Sequence, residues 1–282
     1  MREETGPWVV KVGGREIAPG SALAGFALTI RRAVRRGRQV VVVHGGGDEV
    51  GARQKELGIP VVQVDGQRVT NDETLEVVAE VLAGRVNVRL VNALEAGGVR
   101  ALGLSGVSTG LLRVKPAAGL GWVGEPTGAS AELLHLLLND GITPVIAPLG
   151  SDGSGGVYNV NADLAAAAIA AALHAELYLL TDVEGVMTPR GETLRLLPTA
   201  QIAGLIGDGT VRAGMIPKLT ATERALARGA HGAWLGTLEK FTEHGPSPGA
   251  GTRIVHQRSP PAPAPVPSQA PTALRVIPRR SA

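Results

Sequence analysis

Val40-Val41-Val42-Val43-His44-Gly45-Gly46-Gly47 decides how this chain folds. Four β-branched residues in a row read as a strand buried on both faces, the form taken by central strands of parallel sheets. Three glycines follow at once, which gives up more backbone entropy than a simple turn requires. A helix expected over 48–57 aims its first N–H groups and its positive dipole end at the same point, so the junction reads as an anion site. His44, set between a valine strand and a glycine turn, reads as a hydrogen-bonded spacer rather than a catalyst.

Working outward, a strand over 8–12 and a helix over 21–36 precede this segment, and with the strand over 39–43 they form a βαβα opening. Downstream the spacing predicts helices over 73–82 and 86–95, a strand over 100–104, a glycine-rich hairpin within 111–123 and a helix over 130–138. Strands over 143–147 and 157–160, an alanine-rich helix over 162–174 and a strand over 176–181 come next. Helices over 199–206 and 215–228 and strands over 230–235 and 252–256 complete the pattern. The expected fold is α/β, a three-layer αβα sandwich around a central, mainly parallel sheet.

The 282 residues, 44% of them hydrophobic, can bury a sizeable core as one large or two small domains. Only 2% are aromatic, so aliphatic side chains must fill that core. With no cysteine, disulfides, thiol nucleophiles and thiolate metal sites are excluded, in keeping with a reducing cytoplasm. The start of the chain carries Arg2, Glu3 and Glu4 and lacks the apolar stretch of a signal peptide. No apolar run approaches the roughly 20 residues that span a bilayer, so no membrane association is expected.

The formal charge is +3. The densest basic cluster, Arg31, Arg32, Arg35, Arg36 and Arg38, ends an expected helix, where cations complement the macrodipole; it is not read as a nucleic-acid site. Beyond His256 closely spaced prolines predict a disordered tail over 258–282.

Three further segments carry chemistry. In Val9-Val10-Lys11-Val12-Gly13-Gly14 a lysine interrupts a buried strand. Either it reaches solvent from an edge, or it stands at the carboxyl end of a central strand, where ligands bind in open α/β sheets. Tyr158-Asn159-Val160-Asn161-Ala162-Asp163 precedes a helix that needs only one cap, and Asn159 and Asn161 share a strand face. Capping and ligand binding are both open there. Lys218, in Gly214-Met215-Ile216-Pro217-Lys218, sits at a helix start against the dipole and needs an anionic partner, which a nucleotide phosphate would supply.

Other motif matches fail on context. Residues 119–124 satisfy G-x-G-x-x-G without a strand before or a helix after it. Residues 245–249 spell G-x-S-x-G, but prolines forbid the strand-to-helix elbow. No P-loop pattern is present.

Taken in order, VVKVGG (9–14), VVVHGGG (41–47), GQRVT (66–70), TLEVV (74–78), GLSG (103–106), PVIAPLG (144–150), YNVNAD (158–163), LLTDVEGV (179–186) and GMIPK (214–218) resemble the amino-acid kinase family. Within it the chain is similar to the branch that phosphorylates N-acetyl-L-glutamate in arginine biosynthesis. The resemblance covers about 9–255. It implies transfer of the γ-phosphoryl of ATP, with Mg²⁺ held mainly by the phosphates and no dedicated protein metal site.

By the same resemblance, Lys11 and Lys218 stabilise the transferring group and Asp163 orients them. Gly13 and Gly14 approach the nucleotide phosphates, and Gly46 and Gly47 offer donors to phosphoryl and substrate. Arg68 pairs with the substrate α-carboxylate and Asn159 with its acetamido end. Asp182, Val183, Glu184, Gly185, Val186, Met187, Thr210, Val211 and Arg212 fall in ATP-contacting segments. The implied organisation is an N-terminal lobe over 1–174 with the acyl-amino-acid site and a dimer interface, and an ATP-binding lobe over 175–257. An arginine-insensitive homodimer is expected, because few residues precede the first strand. Three departures stand out: 84–89 lacks the lysine that commonly follows the family's asparagine, 106–110 lacks an acidic residue, and 234–241 departs beside the nucleotide lobe. The rivals are a sibling kinase for carrier-linked glutamate or aminoadipate and a non-catalytic amino-acid-binding regulator.

A carboxylate acceptor is already ionised at neutral pH, so the reaction needs positioning and charge neutralisation rather than a general base.

Overall fold

The valine runs Trp8–Val12 and Val40–His44 pair in parallel, with Lys11 beside Val43, at the centre of an eight-stranded sheet. The computed structural model describes residues 6–64, 66–188, 190–212 and 214–256. From one edge to the other the sheet runs Leu196–Pro198, Thr252–Val255, Gly232–Gly236, Glu176–Leu180, Trp8–Val12, Val40–His44, Thr143–Ala147 and Ala101–Ser105. Only Gly232–Gly236 and Thr252–Val255 run antiparallel to each other. The expected tail over 258–282 and the end of the fold near Gln257 lie outside the described residues.

Alternation along each strand divides the core in two. Val9, Val41, Val43, Leu177 and Leu179 face helices Ala162–Ala172 and Met215–Ala227. Val10, Val12, Val42 and Val145 face helix Ser21–Arg35 and the helical rod beginning at Asp72. Helices therefore cover both faces, as in the expected sandwich. Ala165, Ala166 and Ala170 are fully buried, and their small side chains let Ala162–Ala172 lie close to both the sheet and Met215–Ala227. On the other face Phe26 and Ile30 are fully buried, each contributing about 1.5–3 kcal/mol. A second, closed sheet of Leu112–Pro116, Val123–Ala129, Leu149–Ser151 and Val157–Val160 forms a floor beside the first. Its first two strands form the expected hairpin, but the second runs beyond the expected range to Ala129, and the G-x-G-x-x-G match covers the turn and the first two residues of that strand. Among the described residues no helix is long and apolar enough to cross a membrane.

Two expectations change. The separate helices over 73–82 and 86–95 are one rod: Asp72–Ala79, a π-helical turn Glu80–Val86, then Asn87–Ala96. Gly84 reads as a break but sits inside the π turn. The wider winding shifts the phase so that Val77, Val78, Val81, Leu82, Val86, Leu90 and Leu94 all stay buried. The edge alternative for Lys11 is excluded, since its strand is flanked on both sides by parallel partners.

Candidate active site

Adjacent central strands end in the two glycine segments, which touch. Gly45 N donates to Val12 O at 2.8 Å, and a Cβ on Gly14 would lie 3.4 Å from Gly46 Cα. The two loops therefore lie in van der Waals contact along their glycine backbones. Gly46 has φ +152°, a region that side-chain-bearing residues rarely adopt, and its added Cβ would meet Leu82 at 2.8 Å and Val86 at 3.2 Å. Gly46→Ala is expected to lower the unfolding free energy in urea by about 1–3 kcal/mol; wild-type stability would contradict this reading of the loop.

Beneath the loops three charges meet. Asp163 Oδ1 is 2.9 Å from Lys11 Nζ, and Asp163 Oδ2 is 2.9 Å from Lys218 Nζ. The side chains of Lys11 and Asp163 are less than a tenth exposed, and that of Lys218 is 17% exposed. Burial alone would push the Asp163 carboxyl up, but the two ammonium groups outweigh it and hold it below the usual carboxylate range. For Lys11 burial pulls down while Asp163 raises, and the net shift is upward. Lys218 is lowered, by burial and by the charge of Lys11, against the pull of Asp163. One carboxylate thus serves two lysines, leaving the cluster with a net positive charge.

The 158–163 segment divides its work. Asn161 is the helix cap, its Oδ1 accepting from Asp163 N at 2.8 Å and Leu164 N at 3.3 Å. Asp163 is in the first turn of that helix, where the dipole favours a carboxylate, and it supplies the anionic partner that Lys218 requires. That partner is a protein side chain, where the sequence pointed to a phosphate.

Two clefts, each of about 210 Å³, share Gly47, and Lys11 and Lys218 line one of them. Gly46, Arg68, Val78, Leu82 and Asn159 line the first. Half-buried Arg68 donates to Gly47 O at 2.8 Å and to the Gln54 side-chain oxygen; burial lowers its guanidinium from the ordinary value. Asn159 Nδ2 donates to Thr70 Oγ1 at 3.1 Å. Lys11, Gly13, Gly14, Asp48, Asp182 and Lys218 line the second. Arg15 reaches across it to Asp182 at 2.6 Å.

The expected residues are therefore gathered unevenly. Glu184 joins Asp182 along a neighbouring groove of about 840 Å³. Gly185 and Val186 are buried, and Val186 N donates to Thr252 Oγ1, while Val183 and Met187 are exposed. Thr210, Val211 and Arg212 line neither 210 Å³ cleft. Their bonds are local, Thr210 N to Asp208 Oδ1 and Arg212 Nε to Gly209 O. Sequence reasoning missed Gln54, fully buried against Arg68 and Thr74, and the short hairpin Gln63–Val64 with Gln67–Arg68 that carries Arg68. The Asp65-Gly66 dipeptide was the signal for that hairpin.

Residues 6–236 match the amino acid kinase family. The acetylglutamate kinase of Roseiflexus castenholzii is 45% identical over 243 residues, 84% of this chain and 92% of that protein. The acetylglutamate kinase of Oleidesulfovibrio alaskensis is 41% identical over 259 residues, 84% of this chain and 88% of that protein. Among solved structures, a Streptococcus mutans UA159 protein superposes with a TM-score of 0.77 at 28% identity, covering 89% of this chain and 98% of that one. Giardia carbamate kinase superposes with a TM-score of 0.67 at 18% identity, over 90% of this chain and 99% of that one, a likeness of fold alone.

Proposed function

The chain belongs to the amino acid kinase family, and from that premise we propose that it transfers the γ-phosphoryl of ATP to the side-chain carboxylate of N-acetyl-L-glutamate, a step of arginine biosynthesis. The observation that carries this reading is the Lys11–Asp163–Lys218 cluster, whose lysines line a cleft that meets a second one of different chemistry at Gly47. The cleft with Arg68 and Asn159 suits an acylated amino acid: a guanidinium for the α-carboxylate, an amide for the acetamido group, and Val78 and Leu82 for the aliphatic part. The cleft with Gly13, Gly14 and the lysines suits a phosphate chain.

In this proposal the acceptor carboxylate and the γ-phosphate meet above Gly47, which borders both clefts. Both reactants are anionic, so bringing them together is the main cost. Lys11 and Lys218 offset it with two positive charges against one carboxylate, in a site too buried for water to screen them. Asp163 holds both ammonium groups in place before substrate arrives, so little reorganisation is needed at the moment of transfer. The N–H groups of Gly46 and Gly47 take the developing charge on phosphoryl and acceptor oxygens. No side chain has to accept a proton.

Mg²⁺ fits as an ion carried in by the nucleotide. Among the described residues there is no group of three His, Cys, Asp or Glu to hold one, while the exposed carboxylates Asp48 and Asp182 border the phosphate cleft and can bond its water ligands. Bound there, it would neutralise phosphate charge. The part of the chain over 1–174 then serves the acceptor and, through Gly13 and Gly14, the phosphate chain, and 175–257 serves the rest of the nucleotide.

A substrate panel with ATP and Mg²⁺, reading ADP release, tests the acceptor. N-acetyl-L-glutamate should support turnover; activity only with a carrier-protein-linked glutamate or aminoadipate would replace it. Arg68→Gln should raise KM for N-acetyl-L-glutamate about 10- to 100-fold with a much smaller change in KM for ATP. Equal changes in both would remove Arg68 from the acceptor site.

A further inference from the structure

We propose that Asn87 is a positioning residue that acts through His44 to aim the Gly46 N–H into the acceptor cleft, an inference resting on the assignment of that cleft to the acyl amino acid. His44 ends the strand Val40–His44 and its side chain is fully buried. Its Nδ1 is 2.8 Å from Gly45 O and its Nε2 is 3.1 Å from Asn87 Nδ2. Asn87 is 4% exposed and follows directly on the π turn whose Leu82 and Val86 lie against Gly46.

The proton positions follow from these neighbours. Asn87 Nδ2 also faces the carbonyl oxygens of Val145 at 2.9 Å and Leu104 at 3.4 Å, which can only accept. The amide nitrogen is therefore the group turned inward, and one of its hydrogens goes to His44 Nε2. That nitrogen must carry a lone pair, so the single ring proton sits on Nδ1 and is donated to Gly45 O. A trans peptide points its C=O and N–H in opposite directions. With the Gly45 carbonyl held against the buried ring, the Gly46 N–H faces away from it, on the side where Gly45, Gly46 and Gly47 line the cleft.

The charged groups facing His44 are Glu49, on helix Gly47–Glu56, and Arg89, on helix Asn87–Ala96. They pair with each other at 2.5 and 2.9 Å, and their effects on the ring oppose one another. Burial pushes the imidazole down to about 4, so it is neutral throughout the working range. Arg89 is thereby accounted for as the partner of Glu49.

Asn87→Asp places an acceptor against Nε2 and reverses the logic. A doubly protonated ring still donates to Gly45 O, whereas a neutral ring gives its only proton to the introduced carboxylate and turns a lone pair on the Gly45 carbonyl. The variant should therefore show an ionisation between about pH 6 and 9 that the unsubstituted enzyme lacks. Its kcat/KM for N-acetyl-L-glutamate should fall about tenfold or more on the alkaline side. A profile parallel to the unsubstituted enzyme would overturn the proposal; a purely structural role would lower activity evenly across pH. Nitrogen-15 NMR of histidine-labelled, unsubstituted protein decides the matter even if the variant does not fold or a different acceptor is found. The expected result at pH 7 is a protonated Nδ1 and a bare Nε2 on His44, and the opposite tautomer would overturn the proposal.

Discussion

Lys218→Ala will turn over at least about 10²-fold more slowly than the unsubstituted enzyme, and Lys11→Ala will do the same, the scale on which removing one preorganised electrostatic donor acts. Each variant leaves one ammonium and one carboxylate beside the phosphate cleft, so the net positive charge that receives the phosphoryl group is gone. The loss should appear in kcat at saturating ATP and N-acetyl-L-glutamate, because the charge matters most when phosphoryl and acceptor approach each other. Lys218→Ala keeps the Lys11–Asp163 pair and should unfold close to the unsubstituted protein. Near-normal kcat in both variants would remove these lysines from the reaction.

Asp163→Ala should be damaging in a second way. It strands Lys11 and Lys218 as uncompensated like charges in a buried site, which costs about 3–5 kcal/mol of folding stability. It also unfastens both ammonium groups, so turnover should fall at least as far as in the lysine variants. The pH dependence has a definite sign. Asp163 is held below its unfolded value of about 3.9, so its contribution is present above that pH and is lost as pH falls through the folded value. Urea unfolding at pH 7 and pH 3.5 reads both effects: the difference between the unsubstituted protein and Asp163→Ala should shrink at the lower pH. A variant as stable as the parent at pH 7 would contradict the charge balance assigned to the cluster.

Much of this is legible in the sequence alone. The strand bounds Trp8–Val12, Thr143–Ala147 and Val157–Val160 agree with the reading residue for residue, because β-branched runs bounded by glycine or charge have few other ways to fold. Lys11, Asp163 and Lys218 could be singled out since each is a charge in an apolar or dipole-opposed setting. Their meeting at one carboxylate could not be read, because 152 and 55 residues separate Asp163 from its partners and only the sheet order brings them together.

The π turn at Glu80–Val86 hid behind Gly84, whose low helix propensity is overridden by the buried face of the rod. His44 is hydrogen-bonded, as its setting suggested, but its partner Asn87 lies 43 residues away and could not be read. The 182–187 and 210–212 segments, assigned by resemblance, meet the phosphate cleft only through Asp182.

Hydroxylamine trapping tests phosphoryl transfer to a carboxylate most directly, since it converts an acyl phosphate to a hydroxamate, read as its coloured iron(III) complex, while ADP is counted in parallel. With ATP, Mg²⁺ and N-acetyl-L-glutamate, hydroxamate and ADP should appear together and in equal amounts, and both should vanish without the acceptor. ADP release without hydroxamate, or neither product above the acceptor-free control, would contradict it.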